Sequence, residues 1–426
     1  MRNKSYWYQV DNAGKIFPAV SKSNRSNVFR LSFYIDEIVD EKILQIAVEQ
    51  CLDRFETFAV QLKNGLFWNY LSDNVRPFKV EKESAEICKF FKFSKNNGYL
   101  FKVYYFENKI TLETFHALTD GTGALTFLKS IVYKYFTLRG FNIDHENKIL
   151  SELPYSKKES EDMFLKNYDK NNLKKLKEEP AYHLKGDEFK DNFSQLIKFS
   201  IDSKELLEYV KNKYNCTLTQ YVVTLLAYSI YCESLNIKDS KKPIKLFVPA
   251  NLRKYFSSVT LRNFSLYIKT TYACYQKEWT FDEMLKITKE EFKKQLNAED
   301  LVKRINSNVS FEKNLILRIV PLFIKNLAFK VGYYFLGESI NTCSISNLGI
   351  VDLPKDLEKK VLDVDFVNGG RGIVLTLVSV NNHTNIIFNT TLKDLTIINH
   401  FIKALSKEKL SIKVDSNYRG EYDEIL

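Results

Sequence analysis

The residues best placed to do chemistry stand in one stretch, Leu112-Glu113-Thr114-Phe115-His116-Ala117-Leu118-Thr119-Asp120-Gly121-Thr122-Gly123. Before it, Ile110, Leu112 and Thr114 alternate with Thr111, Glu113 and Phe115, the period of a strand, which puts His116 on the face of Ile110 and Leu112. From Ala124 the period changes, and Leu125, Phe127, Leu128, Ile131, Val132 and Tyr135 form a helical stripe. Asp120 supplies an N-cap between the two, and Gly121 allows a sharp turn and a close approach of substrate. A neutral imidazole at a strand end can take a proton from a hydroxyl or amine as that group attacks a carbonyl. A strand end fixes the ring better than a loop tip does. A carboxylate four residues on, once buried, needs a cation or donors. Arg253 and Arg30 are its candidate partners.

The flanking elements follow from the same periodicities. Val28–Ile35 reads as a strand, and Asp40 caps a helix with Ile43, Ala47, Val48, Cys51, Leu52 and Phe55 on one stripe. Short strands are expected at 58–62 and 66–71, and a strand at 99–106 returns through Asn108-Lys109 into the histidine strand. Residues 144–188, rich in Lys, Glu, Asp and Asn with Pro154 and Pro180, read as a crossing between two units, 1–185 and 186–426. The second unit restarts with a strand at 195–201 and a helix capped by Asp202 or Ser203. An apolar helix (218–232), a strand (243–249) and an amphipathic helix (280–296) follow. Three strands, at 364–367, 373–380 and 385–391, lead to a last helix at 392–405. The most apolar stretch, 315–336, is interrupted by Arg318, Pro321, Lys325 and Lys330. That argues for a buried or interfacial helix with weak membrane-surface contact, not a membrane span.

With 45% hydrophobic and 27% charged residues among 426, the chain has the balance of a globular protein, of a length for two or three compact units or one large domain. The net charge of +11 suits coenzyme A phosphates, an acidic carrier protein or a membrane surface. No nucleic-acid motif accompanies the dispersed lysines, so no nucleic acid is expected as partner. Cys51, Cys88, Cys216, Cys232, Cys274 and Cys343 form no CxxC pair and lie at no metal-ligand spacing to a histidine, which argues against a metal site and suits a reducing cytoplasm. Residues 1–10 lack the apolar core of a signal peptide.

His116-Ala117-Leu118-Thr119-Asp120-Gly121 resembles the HxxxDG signature of the chloramphenicol acetyltransferase-like and condensation-domain superfamily, particularly its alcohol acetyltransferase branch. Four further places are similar to that superfamily in the expected order: Thr122 to Leu128 after the signature, Pro249-Ala250-Asn251-Leu252-Arg253, Asn263-Phe264, and Ser346-Asn347-Leu348-Gly349. Three features depart from it. Phe115 replaces the first histidine of condensation domains, Arg262 replaces a glycine before Asn263, and Asn368-Gly369-Gly370-Arg371-Gly372 stands where a plant-type DFGWG segment is absent; it reads as a loop between strands.

The resemblance implies an α/β fold: two chloramphenicol-acetyltransferase-like domains, each a mixed sheet flanked by helices, arranged as a pseudo-dimer with a tunnel between them. It implies transfer of an acyl group from an acyl-CoA, acetyl-CoA first, to an alcohol or amine, with the coenzyme as substrate and no resident cofactor. His116 would be the base, while Asp120 and Gly121 shape the turn. Ser346 or Asn347 would face the oxyanion, against the plainer reading of a strand-end turn. Asn263 would tie the second domain to the site or serve only as a turn amide. Cys343 as a nucleophile has no sequence support over direct transfer. The rival readings are a condensation-like enzyme with a carrier-protein donor and a scaffold that kept the fold without the chemistry.

Overall fold

The computed structural model describes residues 6–23, 25–84, 86–90, 92–170, 178–190, 193–234, 237, 239–408 and 410–417. Their strands gather into three sheets. A five-stranded sheet runs, in spatial order, Val361–Asn368, Val28–Ile35, Lys109–Phe115, Phe101–Phe106 and Glu81–Lys82. A seven-stranded sheet runs Ser265–Tyr272, Ile244–Asn251, Cys343–Ile350, Ile373–Val380, His383–Thr390, Gln195–Asp202 and Ile412–Ser416. A small sheet joins Trp7–Gln9, Asn69–Asp73 and Val60–Asn64. Both large sheets are mixed, since Glu81–Lys82 pairs parallel with its neighbour and Cys343–Ile350 pairs parallel on both sides.

Each large sheet buries one face against helices. Helices Glu41–Arg54 and Gly121–Leu138 close over the first sheet, around Leu31, Phe33, Leu112 and Phe127. Helices Leu218–Glu233, Phe281–Gln295 and Thr396–Ser406 close over the second, around Leu226, Leu375 and Phe388. The helix starts are written into the sequence. Asp40 accepts from the backbone N–H of Lys42 and Ile43, and Thr217 with Gln220 and Thr280 with Glu283 form reciprocal caps. A third apolar cluster joins Met163 and Phe164 to Leu252, Phe264, Leu301 and Ile305.

The strand Val361–Asn368 comes late in the chain but pairs with Val28–Ile35, Phe366 opposite Leu31 and Val364 opposite Phe33. The five-stranded sheet is therefore completed by the second half of the sequence. Other elements shift from their expected places for local reasons. The strands expected at 58–62 and 66–71 move to Val60–Asn64 and Asn69–Asp73 because Gly65 and Trp68 close the turn between them. The last helix starts at Thr396, whose backbone N–H donates to the Asp394 carboxylate. The apolar stretch at 315–336 breaks at Pro321 into Leu315–Ile319 and Leu322–Tyr333, since proline brings no N–H to a helical ladder. Within the charged crossing, residues 171–177 lie outside the described residues, as do residues 1–5 at the start of the chain. Among the described residues, no helix is long and apolar enough to cross a membrane.

Candidate active site

His116 follows directly on the strand Lys109–Phe115, where its backbone N–H donates to Asn27 O at 2.9 Å. The imidazole lies between two phenyl rings. Phe17 stacks on it at 4.7 Å and 18°, and Phe29 meets it edge-on at 5.1 Å. Burial pulls its pKa below the ordinary histidine value, against the opposing pull of Asp120 and Asn263, so the ring is neutral at pH 7.

Asn263 decides which ring nitrogen carries the proton. Its Nδ2 donates to His116 O at 3.0 Å and to Asp11 Oδ2 at 3.1 Å. A carbonyl and an ionised carboxylate can only accept, so the amide orientation is fixed, and Oδ1 is the atom that faces His116 Nδ1 at 3.2 Å. Oδ1 is an acceptor, so Nδ1 carries the hydrogen and the Nε2 lone pair is the basic one. Nε2 has no protein partner among the described residues.

Asp11 anchors this relay, and sequence reasoning missed it because the opening segment shows no period. It is 1% exposed and accepts from Gly14 N at 2.7 Å and from Asn263 N at 3.3 Å. Burial pushes its carboxyl up to about 6, with Arg262 pulling the other way. Arg262, standing where the resemblance calls for glycine, has a buried task of its own. Its Nε lies 3.8 Å from Asp11, its Nη1 donates to Ser160 O at 3.2 Å, and its guanidinium covers the Tyr8 ring. Asp11 and Arg262 are two halves of one device, a carboxylate and the cation that keeps it charged in the interior.

Of the two arginines considered for Asp120, Arg253 makes the pair. Nη1 reaches Asp120 Oδ2 at 2.8 Å and Nη2 reaches Oδ1 at 3.0 Å, both side chains being under 10% exposed. Arg30 lies elsewhere, in the plane of the first sheet, where the cross-strand neighbour Glu113 and the nearby Glu83 take its charge. Asp120 also caps the helix Gly121–Leu138 through Gly123 N and accepts from Phe264 N at 2.9 Å. Arg253 is held in turn by Thr260 O and Arg262 O.

The segments that carry the resemblance meet at this helix start. Asn251 Nδ2 donates to Thr122 Oγ1 at 3.1 Å, and Leu348 packs so close to Gly121 that an added Cβ would lie 3.2 Å from its Cδ1. A Cβ on Gly123 would collide with Thr119 Oγ1 and the Leu261 carbonyl. Gly123→Ala is therefore expected to lower the unfolding free energy by about 1–3 kcal/mol, read by urea denaturation. A loss under about 0.5 kcal/mol would show that this packing is loose.

Ser346 and Asn347 lie on Cys343–Ile350, beside this helix start, and their bonds distinguish them. Asn347 is engaged at both amide atoms, donating to Thr219 Oγ1 and accepting from Gly349 N, each at 2.8 Å. Ser346 Oγ accepts from Asn368 Nδ2 at 2.8 Å, leaving its own hydrogen without a protein acceptor among the described residues. Cys343 is buried, and its thiol is pushed up to about 12, which leaves no thiolate for a nucleophile. Two histidines without evident partners in the sequence do find them: His383 Nε2 meets Asp363 at 2.9 Å and His400 Nδ1 meets Glu233 at 2.6 Å. His116 lines neither of two surface cavities, one of 440 Å³ along Tyr209, Tyr221, Tyr228 and His400 and one of 270 Å³ along Phe67, Trp68 and Arg318.

These two sheet-and-helix units have the fold of the chloramphenicol acetyltransferase-like and condensation-domain superfamily. Solved structures show the likeness. F. sporotrichioides TRI101, in complex with coenzyme A and T-2, aligns at TM-score 0.58 and 11% identity over 96% of this chain and 99% of that one. TRI3 trichothecene 15-O-acetyltransferase from Fusarium sporotrichioides aligns at 0.56 and 10%, over 95% and 94%. A mutant starter condensation domain of rhizomide synthetase RzmA, in complex with C8-CoA and Leu-SNAC, aligns at 0.56 and 12%, over 93% of each chain. No protein-family model and no curated protein matches the chain.

Proposed function

We propose that the protein is an acyltransferase that moves an acyl group from a coenzyme A thioester, acetyl-CoA first among the donors, to an alcohol or amine. The observation that carries this reading is the imidazole of His116, held by Asn263 with its Nε2 lone pair unpartnered among the described residues. Nε2 takes the proton of the acceptor hydroxyl or amine as that oxygen or nitrogen attacks the thioester carbonyl. The tetrahedral intermediate collapses with cleavage of the carbon–sulfur bond, and the imidazolium returns the proton to the departing thiolate. Ser346, with a hydroxyl hydrogen to give, is the better placed oxyanion donor of the two candidates, and Asn347 holds the strand end. The coenzyme A and C8-CoA bound to similar folds support a thioester donor. The net charge of +11 supports a second donor reading, an acyl group carried on an acidic carrier protein in the cytoplasm. The units 1–185 and 186–426 would supply the two sides of the site.

The test is free-thiol release from acetyl-CoA and longer acyl-CoAs with a panel of alcohols and amines. Acceptor-dependent release is expected. Silence with every acyl-CoA and every acyl-loaded carrier, from folded protein, would reduce the chain to a scaffold.

The relay behind the base has its own readout. Asn263→Ala is expected to lower kcat about tenfold to a hundredfold with little change in KM, because it frees the imidazole to take the wrong tautomer without touching substrate. In the intact protein kcat/KM should rise with pH to a plateau, its midpoint below the usual histidine value of about 6.5. Two events share that limb: His116 loses its proton and Asp11, near 6, becomes the carboxylate that fixes Asn263. An acid limb above the ordinary histidine value would contradict this arrangement.

A further inference from the structure

The helix Leu322–Tyr333 presents its apolar side outward. Phe323, Leu327 and Val331, spaced at i, i+4 and i+8, are 74, 65 and 52% exposed. The polar group sits on the inward side: Lys325 is buried, its Nζ donating to Phe67 O at 2.9 Å and resting 3.7 Å over the Trp68 ring. A helix on a water-facing surface shows the reverse pattern. The exposed apolar surface continues on both sides. Leu315 and Ile319 on the preceding helix are 76 and 71% exposed, and Leu66, whose carbonyl accepts from Leu322 N, is 72% exposed. Patches of this extent mark interaction surfaces.

Charge identifies the occupant. From Lys313 to Phe335 the chain holds no Asp or Glu, whereas Lys313, Arg318 and Lys330 are exposed. The acids at either end are paired, the largely covered Glu312 with Lys15 and the part-exposed Glu338 with Arg25. Lys63, three residues before Leu66 in the chain, is exposed as well. A second copy of this chain would set cations against cations on a protein of net charge +11. An anionic lipid headgroup layer over an acyl interior matches both the apolar face and its basic rim.

We propose that the protein docks on anionic lipid bilayers through this face, with the Leu322–Tyr333 helix lying flat in the interface. The same helix packs on Phe17–Val20, whose Phe17 ring stacks on His116, so one short helix separates the docked face from the imidazole. Docking is independent of catalysis and is read without substrate.

The experiment is flotation of the full chain with phosphatidylcholine vesicles containing about a third phosphatidylglycerol, and with phosphatidylcholine alone, alongside light scattering without vesicles. The expected result is flotation with the anionic vesicles only, weakened by high salt. Phe323→Glu/Leu327→Glu should bind about tenfold or more weakly, and Arg318→Glu/Lys330→Glu should lose the preference for anionic lipid. These side chains are exposed, so both variants keep the wild-type circular dichroism. No flotation of the wild type, or undiminished flotation of Phe323→Glu/Leu327→Glu, overturns the proposal. A dimer in solution that Phe323→Glu/Leu327→Glu dissociates, with no flotation, gives the face to a second copy and overturns it equally.

Discussion

His116→Ala is expected to lower acceptor-dependent thiol release by about a thousandfold in kcat, with a far smaller change in the KM for acyl-CoA. The ring lies between Phe17 and Phe29, so its removal also leaves a gap, a second cause for any loss. His116→Gln, which fills more of that space and carries no comparable base, separates the causes. If both variants are equally inactive and unfold near the wild-type midpoint, the imidazole itself is what the reaction needs. If His116→Gln keeps more than about a tenth of the activity, proton transfer runs through another group and the proposed role of His116 falls.

Arg253→Ala is expected to cost about 3–5 kcal/mol in urea unfolding, among the largest losses available from a single surface-remote substitution. Its guanidinium holds both oxygens of Asp120 and two backbone carbonyls, all in the interior. Without it, the buried Asp120 carboxyl is left, among the described residues, with two backbone N–H donors, from Gly123 and Phe264. Arg253→Lys restores the charge but not the planar fork, and should recover only part of the loss. A cost below about 1 kcal/mol for Arg253→Ala would show that water reaches Asp120 and that the pair behaves as a surface salt bridge. Activity should fall with stability, because the same pair joins the helix after His116 to the segment that delivers Asn263.

The local grammar around His116 was legible in the sequence because each signal there is short-range. Alternation gives the strand, Asp120 sits at cap spacing, and the helical stripe begins at once. Choosing between Arg253 and Arg30 was not, because the pair spans 133 positions and either cation satisfies the same electrostatic need. For Asn263 the choice between a tie to the site and a turn amide stays open in the sequence on similar grounds. A side-chain amide gives no sign of a partner 147 residues away. Asp11 carried no signal in its own neighbourhood, yet Arg262 did: a charged residue in place of a glycine, next to a buried asparagine, calls for a buried anion. At Leu322–Tyr333 the choice between a buried and an interfacial helix stays open in the sequence for another reason. Periodicity reports which residues share a face but not which face the core takes.

The strand Val361–Asn368 has a consequence for synthesis on the ribosome. Until it emerges, Val28–Ile35 stands at the margin of a sheet whose outer partner has not yet been translated, with a row of backbone donors and acceptors open. That row is flanked by Phe29, Leu31 and Phe33, the material of a strand that would add to any neighbour. The nascent amino-terminal half therefore waits through most of elongation in an adhesive state, and early termination or truncation after the first unit leaves that state permanent. Solubility of shortened forms depends on whether they include Val361–Asn368 more than on how much of the first core they retain.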